Sequence, residues 1–147
     1  HLARDLEQLP PGPRPGGIPI LLAGHGHKGY RHAARLADIW SCYATERSDL
    51  TELGPRLTAF LAACAEVGRD PATVARSAGV VVAPLATGEY AGAFGSAVSG
   101  SSEEIADAFR AFRDAGFTQL EFMFEPQTMA ALEAMGPVLE LLAHDEV

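Results

Sequence analysis

The chain has 147 residues, enough for one domain with a real core but short for a complete barrel-sized enzyme. Its 11 basic residues against 19 acidic ones leave a formal charge of −8 with no basic cluster, which argues against nucleic acid as a partner. The longest apolar runs fall far below membrane-spanning length, which argues against a membrane partner.

Residues 1–17 are rich in Pro and Gly and read as a lead-in loop, because Pro fixes φ and lacks a backbone donor. They carry no charged stretch followed by an apolar one, so nothing there reads as a secretion signal. The first residue is His1 rather than Met, which predicts that the sequence begins inside a longer gene. From residue 18 to residue 147 the pattern is that of one structured region.

A first strand is expected over 18–23, nearly all apolar, as in a strand buried on both faces of a parallel sheet. It ends abruptly in Gly24-His25-Gly26-His27-Lys28, and a helix is expected at once over 28–36. Such a βα turn places bare N–H groups and the positive end of a helix dipole at one point, which attracts an anion such as a phosphate. Gly24 and Gly26 lack the Cβ that would hold the anion away, and Lys28 adds a full charge. The turn therefore reads as the phosphate-holding element of a cofactor site, with an ordinary tight turn as the alternative. His25, His27 and His32 have no Cys or carboxylate at a ligand spacing, so no metal site is expected.

A second strand is expected over 39–43 and a long helix over 50–67, where Leu57, Phe60, Leu61 and Cys64 form a core stripe at i, i+3, i+4 and i+7. Gly54-Pro55 is expected to split its first turn and Gly68 to end it. A third strand is expected over 76–83. Residues 84–98, rich in Ala, Gly and Ser, predict an irregular or partly helical excursion. Ser101 and Glu104 form a capping box ahead of Ile105, Ala108, Phe109 and Phe112, and Gly116 closes that helix. A fourth strand over 118–124 turns Leu120, Phe122 and Phe124 to the helices and Gln119, Glu121 and Met123 inward. The last helix, over 128–143, should bend at Gly136-Pro137.

The order β-α-β-α-β-(excursion)-α-β-α predicts a parallel sheet with right-handed crossovers. Four such units are half of a TIM (β/α)8 barrel, with a small doubly wound sheet as the competitor. Residues 18–42 resemble the corresponding segment of the bacterial-luciferase-like flavin- or deazaflavin-dependent oxidoreductases. Residues 64–71 (Cys-Ala-Glu-Val-Gly-Arg-Asp-Pro), 99–106 (Ser-Gly-Ser-Ser-Glu-Glu-Ile-Ala) and 114–117 (Asp-Ala-Gly-Phe) are similar to that family in the same order and spacing. The resemblance implies an α/β half-barrel, four βα units corresponding to the C-terminal half.

It further implies that Gly24, His25, Gly26, His27 and Lys28 contact the phosphate of FMN or a deazaflavin coenzyme. By the same resemblance, Ser41 to Tyr43 lie near the flavin ring, with Ser41 among the site residues. Many family members carry Gly or Ser where His25 and His27 stand, and the half that supplies much of the ring pocket is not in this sequence.

Other candidates have plainer roles. Trp40 reads as packing, and Cys42 and Cys64 as reduced, buried thiols of a cytoplasmic protein. Glu125 stands where barrel enzymes keep catalytic groups, although it reads as a solvated loop carboxylate. Glu121, facing inward, needs a partner.

Three functions remain open. The first is part of an oxidoreductase acting on a small organic molecule, the second a non-catalytic phosphate- or nucleotide-binding half-barrel, and the third an oligomerising scaffold with a vestigial site. Two open sheet edges and inward apolar residues such as Leu21, Val81 and Met123 predict homo-oligomerisation or association with an N-terminal half.

Overall fold

A computed structural model describes residues 17–146; all of the expected lead-in loop except Gly17 lies outside that range. The elements in order are β1 (Leu21–Ala23), α1 (Gly26–Leu36), β2 (Ile39–Tyr43), α2 (Leu50–Val67), β3 (Ala75–Ala83), β4 (Tyr90–Gly92), β5 (Gly95–Ser99), α3 (Ser102–Ala115), β6 (Gln119–Phe124), α4 (Met129–Glu133) and α5 (Gly136–Ala143). Strands β1, β2, β3 and β6 lie side by side and parallel, and the last three are each reached through a helix. This is the half-barrel rather than the doubly wound alternative, and each of the four strands is followed by its helix as in a βα barrel.

Alternation along the strands sets the two faces of the sheet. Leu22, Trp40, Cys42, Ala78, Val80, Val82, Leu120 and Phe124 turn toward the helices and pack with Leu53, Leu57, Phe60, Ile105, Phe109 and Phe112. Trp40 is fully buried and stacks on Phe60, ring centres 4.4 Å apart and planes 1° from parallel. Phe122 stacks on Phe109 at 4.9 Å, on the helix side as expected. The opposite face carries Ser41, Tyr43, Ser77, Gly79, Gln119, Glu121 and Met123, aligned across β2, β3 and β6 by the strand register.

The capping expectations hold at Gly68 and throughout α3, and the structure adds an N-cap to α2. Asp49 accepts from the Thr51 and Glu52 amides at the start of α2, and Gly68 closes it in the left-handed conformation. Ser101 and Glu104 form the full capping box of α3, closed by Gly116. Gly54-Pro55 does not split α2. Pro55 removes one bond near the helix start, while Leu53, Leu57 and Phe60 stay anchored in the core and keep the helix whole.

Four further expectations are corrected. The first strand is only three residues long, because Pro19 has no donor and Ile20 is held otherwise. The Ile20 amide donates to Asp38 Oδ2 at 2.8 Å, and its carbonyl accepts from the Asp38 and Ile39 amides. The excursion after β3 is a β-hairpin, β4 against β5 antiparallel. Its second strand pairs parallel with Val82 and Ala83, beyond the stretch of β3 that β2 occupies. The last helix is divided rather than bent, since Pro137 stands in the first turn of α5. Val81, expected to be uncovered, is 3% exposed, and its amide donates to Ser48 Oγ in the loop after β2 at 2.9 Å.

Candidate functional site at the C-terminal mouth of the sheet

All four parallel strands end at one rim, which carries the β1–α1 turn, the loop after β2, the hairpin after β3 and the Glu125 turn after β6. The β1–α1 turn comes first. Helix α1 starts at Gly26, two residues earlier than expected, with His25 as its N-cap in extended conformation. His25 makes no side-chain cap bond, and no acidic side chain stands in the first turn. That start contrasts with α2 and α3, whose first amides are taken by Asp49 and Ser101. The amides opening α1 therefore present an uncapped positive dipole end.

The two glycines have different reasons. Gly26 has φ +67, and a Cβ there would meet nothing within 4 Å, so the space over the turn is open. Gly24 is required by the fold itself, because a Cβ would lie 2.7 Å from the carbonyl oxygen of Gly29. The turn is tied to the core by Trp40, whose indole N–H donates to the Gly24 carbonyl at 3.5 Å.

The side chains of the turn diverge. His25 packs edge-on against Tyr43, ring centres 5.4 Å apart. His27 points to α2, its Nε2 3.3 Å from Glu66 Oε2, and Arg31 adds a contact of 3.7 Å to the same oxygen. Lys28 is exposed and makes no ion pair among the described residues. Ser41 does not join the turn: it is buried in β2, in register with Ala23 and Ser77. The β2 residue that reaches the turn is Tyr43, 52% exposed, with its backbone carbonyl held by Arg56.

Behind Tyr43, a network fixes the loop after β2. Glu52 Oε1 accepts from the Thr45 amide at 2.9 Å, the Thr45 hydroxyl at 2.7 Å and Arg56, and Oε2 accepts from the Glu46 and Arg47 amides at 3.0 and 2.7 Å. Burial would raise this carboxyl, but the Thr45 hydroxyl and the three loop amides outweigh it and hold the group down to about 2. Burial pushes the Cys42 thiol up to about 12 and raises Cys64 as well, which keeps both protonated and unreactive.

At the far side of the rim, Glu125 departs from the expected solvated carboxylate. It lies under the hairpin, with Oε1 accepting from the Ala93 amide at 3.2 Å. Its Oε2 is buried with no hydrogen-bond partner among the described residues. A Cβ on Gly92 would stand 2.2 Å from Oε1, so the Glu125 carboxylate packs directly against the hairpin backbone and would have to shift for any larger residue there. Burial and the neighbouring Glu125 charge raise the Tyr90 phenol. Glu121 has the partner the sequence demanded, since the Ser77 hydroxyl donates to its Oε1 at 2.6 Å. Ser77, Tyr90 and Gly92 carry no sequence signal of their own, because strand register and the hairpin alone bring them to the carboxylates.

The sequence profile of luciferase-like monooxygenases matches residues 2–93, well over half of the chain. The chain belongs to the luciferase-like monooxygenase family. The match reaches into the expected lead-in loop and ends inside the hairpin, so the resemblance at 99–106 and 114–117 lies beyond it. No curated protein sequence matches the chain. Among the solved structures that share the fold, two illustrate the likeness. One is an F420-dependent secondary alcohol dehydrogenase in complex with an F420-acetone adduct (15% identity, TM-score 0.62, 85% of this chain and 49% of that one). The other is the coenzyme F420 dependent tetrahydromethanopterin reductase from Methanopyrus kandleri (13% identity, TM-score 0.65, 85% of this chain and 51% of that one). This luciferase-like chain thus spans about half the length of the solved structures it matches. Among its described residues, no helix is long and apolar enough to cross a membrane, and no group of three or more His, Cys, Asp or Glu could hold a metal ion.

Proposed function

We propose that this chain is the phosphate-holding, C-terminal half, residues 18–147, of a cytoplasmic luciferase-like oxidoreductase working on a small organic substrate with a deazaflavin coenzyme. FMN is the second candidate for the cofactor. The observation that carries the reading is the start of α1: uncapped amides, no acid in the first turn and open space above Gly26, with Lys28 exposed beside them. These residues fit a phosphate, since backbone donors at a helix N-terminus and one flexible cation are what an anion needs. The F420 named for the two solved structures favours a deazaflavin over FMN.

When bound, the cofactor supplies hydride transfer, and the protein positions it and excludes water. The amides following His25 take the phosphate, Lys28 adds charge, and Tyr43 with His25 forms the aromatic wall beside the turn. Ser41, buried in β2, would stand near the ring rather than at the phosphate. A non-catalytic binding half-barrel is the second reading, which the uncapped amides of the turn would serve equally well.

Gly26→Val tests the phosphate assignment. The side chain forces a strained φ and crowds the amides, so deazaflavin affinity measured by coenzyme fluorescence should fall about tenfold or more, with the far-ultraviolet circular dichroism unchanged. Equal affinity of the variant and the parent chain would refute the turn as the anchor. Turnover with a secondary alcohol separates the oxidoreductase from the binding half-barrel.

A further inference from the structure

We infer that Glu121 accepts the hydrogen bond of the imide N–H on the coenzyme's pyrimidine ring, with Ser77 holding the carboxylate in place for it. The inference rests on the deazaflavin reading and names the residue that reads the ring end of the same site.

Three observations carry it. First, the strand register sets one rung across the barrel side of the sheet. Tyr43, Gly79 and Glu121 are paired in it directly, and His25 stands two residues beyond Ala23, the partner of Ser41. The His25 and Tyr43 rings touch, centres 5.4 Å apart, so the rung runs on into the phosphate turn. Second, the middle of the rung is bare. A Cβ on Gly79 would lie 3.1 Å from the Tyr43 Cβ, and its absence leaves backbone as the floor between an aromatic ring and a carboxylate. The trough over that floor, about 250 Å³, has Val81 and Met123 as apolar walls and suits one end of a planar ring. Third, Glu121 is oriented. Ser77 is fully buried, and its hydroxyl donates to Oε1 at 2.6 Å, which leaves Oε2 without a donor among the described residues.

The two ends of the rung differ in the way a phosphorylated deazaflavin requires. A phosphate accepts hydrogen bonds, and the uncapped amides of α1 donate them. The pyrimidine imide donates one, and an ionised carboxylate only accepts. Glu121 lies three strand spacings from the turn, roughly 14 Å along the sheet, a span that a tricyclic ring with a ribityl arm covers. At that separation dissolved ions weaken its repulsion of the phosphate, so the two ends do not oppose each other. Glu121 thus selects a ring that carries a proton on its imide nitrogen.

The test compares three probes by fluorescence titration of the parent chain: deazariboflavin, its ribityl phosphate, and deazariboflavin with a methyl group in place of the imide proton. The methylated ring should bind about tenfold or more weakly than deazariboflavin, the loss expected when a hydrogen bond to a charged acceptor is removed. Glu121→Ala should bring the two to equal affinity, with the circular dichroism of the parent retained. Ser77→Ala should narrow the difference while the carboxylate remains. A parent chain that binds both rings equally overturns the inference without recourse to any variant. Discrimination that survives Glu121→Ala overturns it as well, because the methyl group is then sensed elsewhere. The phosphate is read separately: a ribityl phosphate that adds nothing to affinity refutes the turn as anchor and leaves the ring contact standing.

Discussion

Glu52 shows how one residue organises a loop. It lies in the first turn of α2, where a carboxylate is favoured by the helix dipole, yet its five donors come from a side chain and loop amides ahead of the helix and from Arg56 within it. Its folded value, held at about 2, lies below the ordinary value of roughly 4.3. A depressed carboxyl contributes stability that is fully present above its unfolded value and lost as pH falls from there toward the folded one. Glu52→Gln should therefore destabilise the protein by about 1–3 kcal/mol at neutral pH. The difference from the parent should shrink as urea melts are repeated from about pH 4.5 down to about pH 2. A difference that stays constant across that range would show that Glu52 is not the group lost in acid. None of this was legible in the sequence, where Glu52 is one acid of a helix start. The site glycines were legible as a motif, but the sequence could not show that Gly24 serves the packing of α1 while Gly26 faces open space.

At the scale of elements, whatever local chemistry decides was readable, and whatever distant contact decides was not. Apolar spacing and caps set the spans of α2 and α3 because both signals lie within a few residues. The hairpin escaped because its Ala, Gly and Ser content carries no period and its partners lie far off in sequence. The Ser96 amide donates to the Glu46 carbonyl at 2.8 Å and the Ser48 amide to the Ser96 carbonyl at 3.0 Å, fastening the hairpin to the loop after β2. Gly95 makes the fastening possible: its φ is +82, and a Cβ would lie 2.1 Å from the Glu46 carbonyl oxygen. Gly95→Ala should release the hairpin at a local cost of about 1–3 kcal/mol. Hydrogen exchange over 90–99 should accelerate while α2 keeps its protection; equal acceleration in α2 would mean the hairpin is not a separate unit.

For the whole molecule, the helix side of the sheet is finished and the barrel side is not. Trp40, Phe60, Phe112 and Ile105 are fully or almost fully buried, whereas Leu21 is 46% exposed beside an edge that has no strand against it among the described residues. The chain should therefore not behave alone as a cooperative monomer of 15.5 kDa. Light scattering coupled to size exclusion at micromolar concentration should show broad, concentration-dependent association. A single sharp peak at the monomer mass, with a cooperative melt, would mean that the open face is stable in water.

Trp40 has a practical consequence. It is the one tryptophan of the chain, sealed from solvent, and its indole N–H meets the carbonyl of Gly24 at the very turn proposed to hold phosphate. Its emission therefore reports on both events that matter here. Loss of the core exposes the indole to water, while an anion that pulls on the turn changes the bond at its nitrogen with the core intact. The protein thus carries its own optical probe, able to separate unfolding from occupancy without any added label.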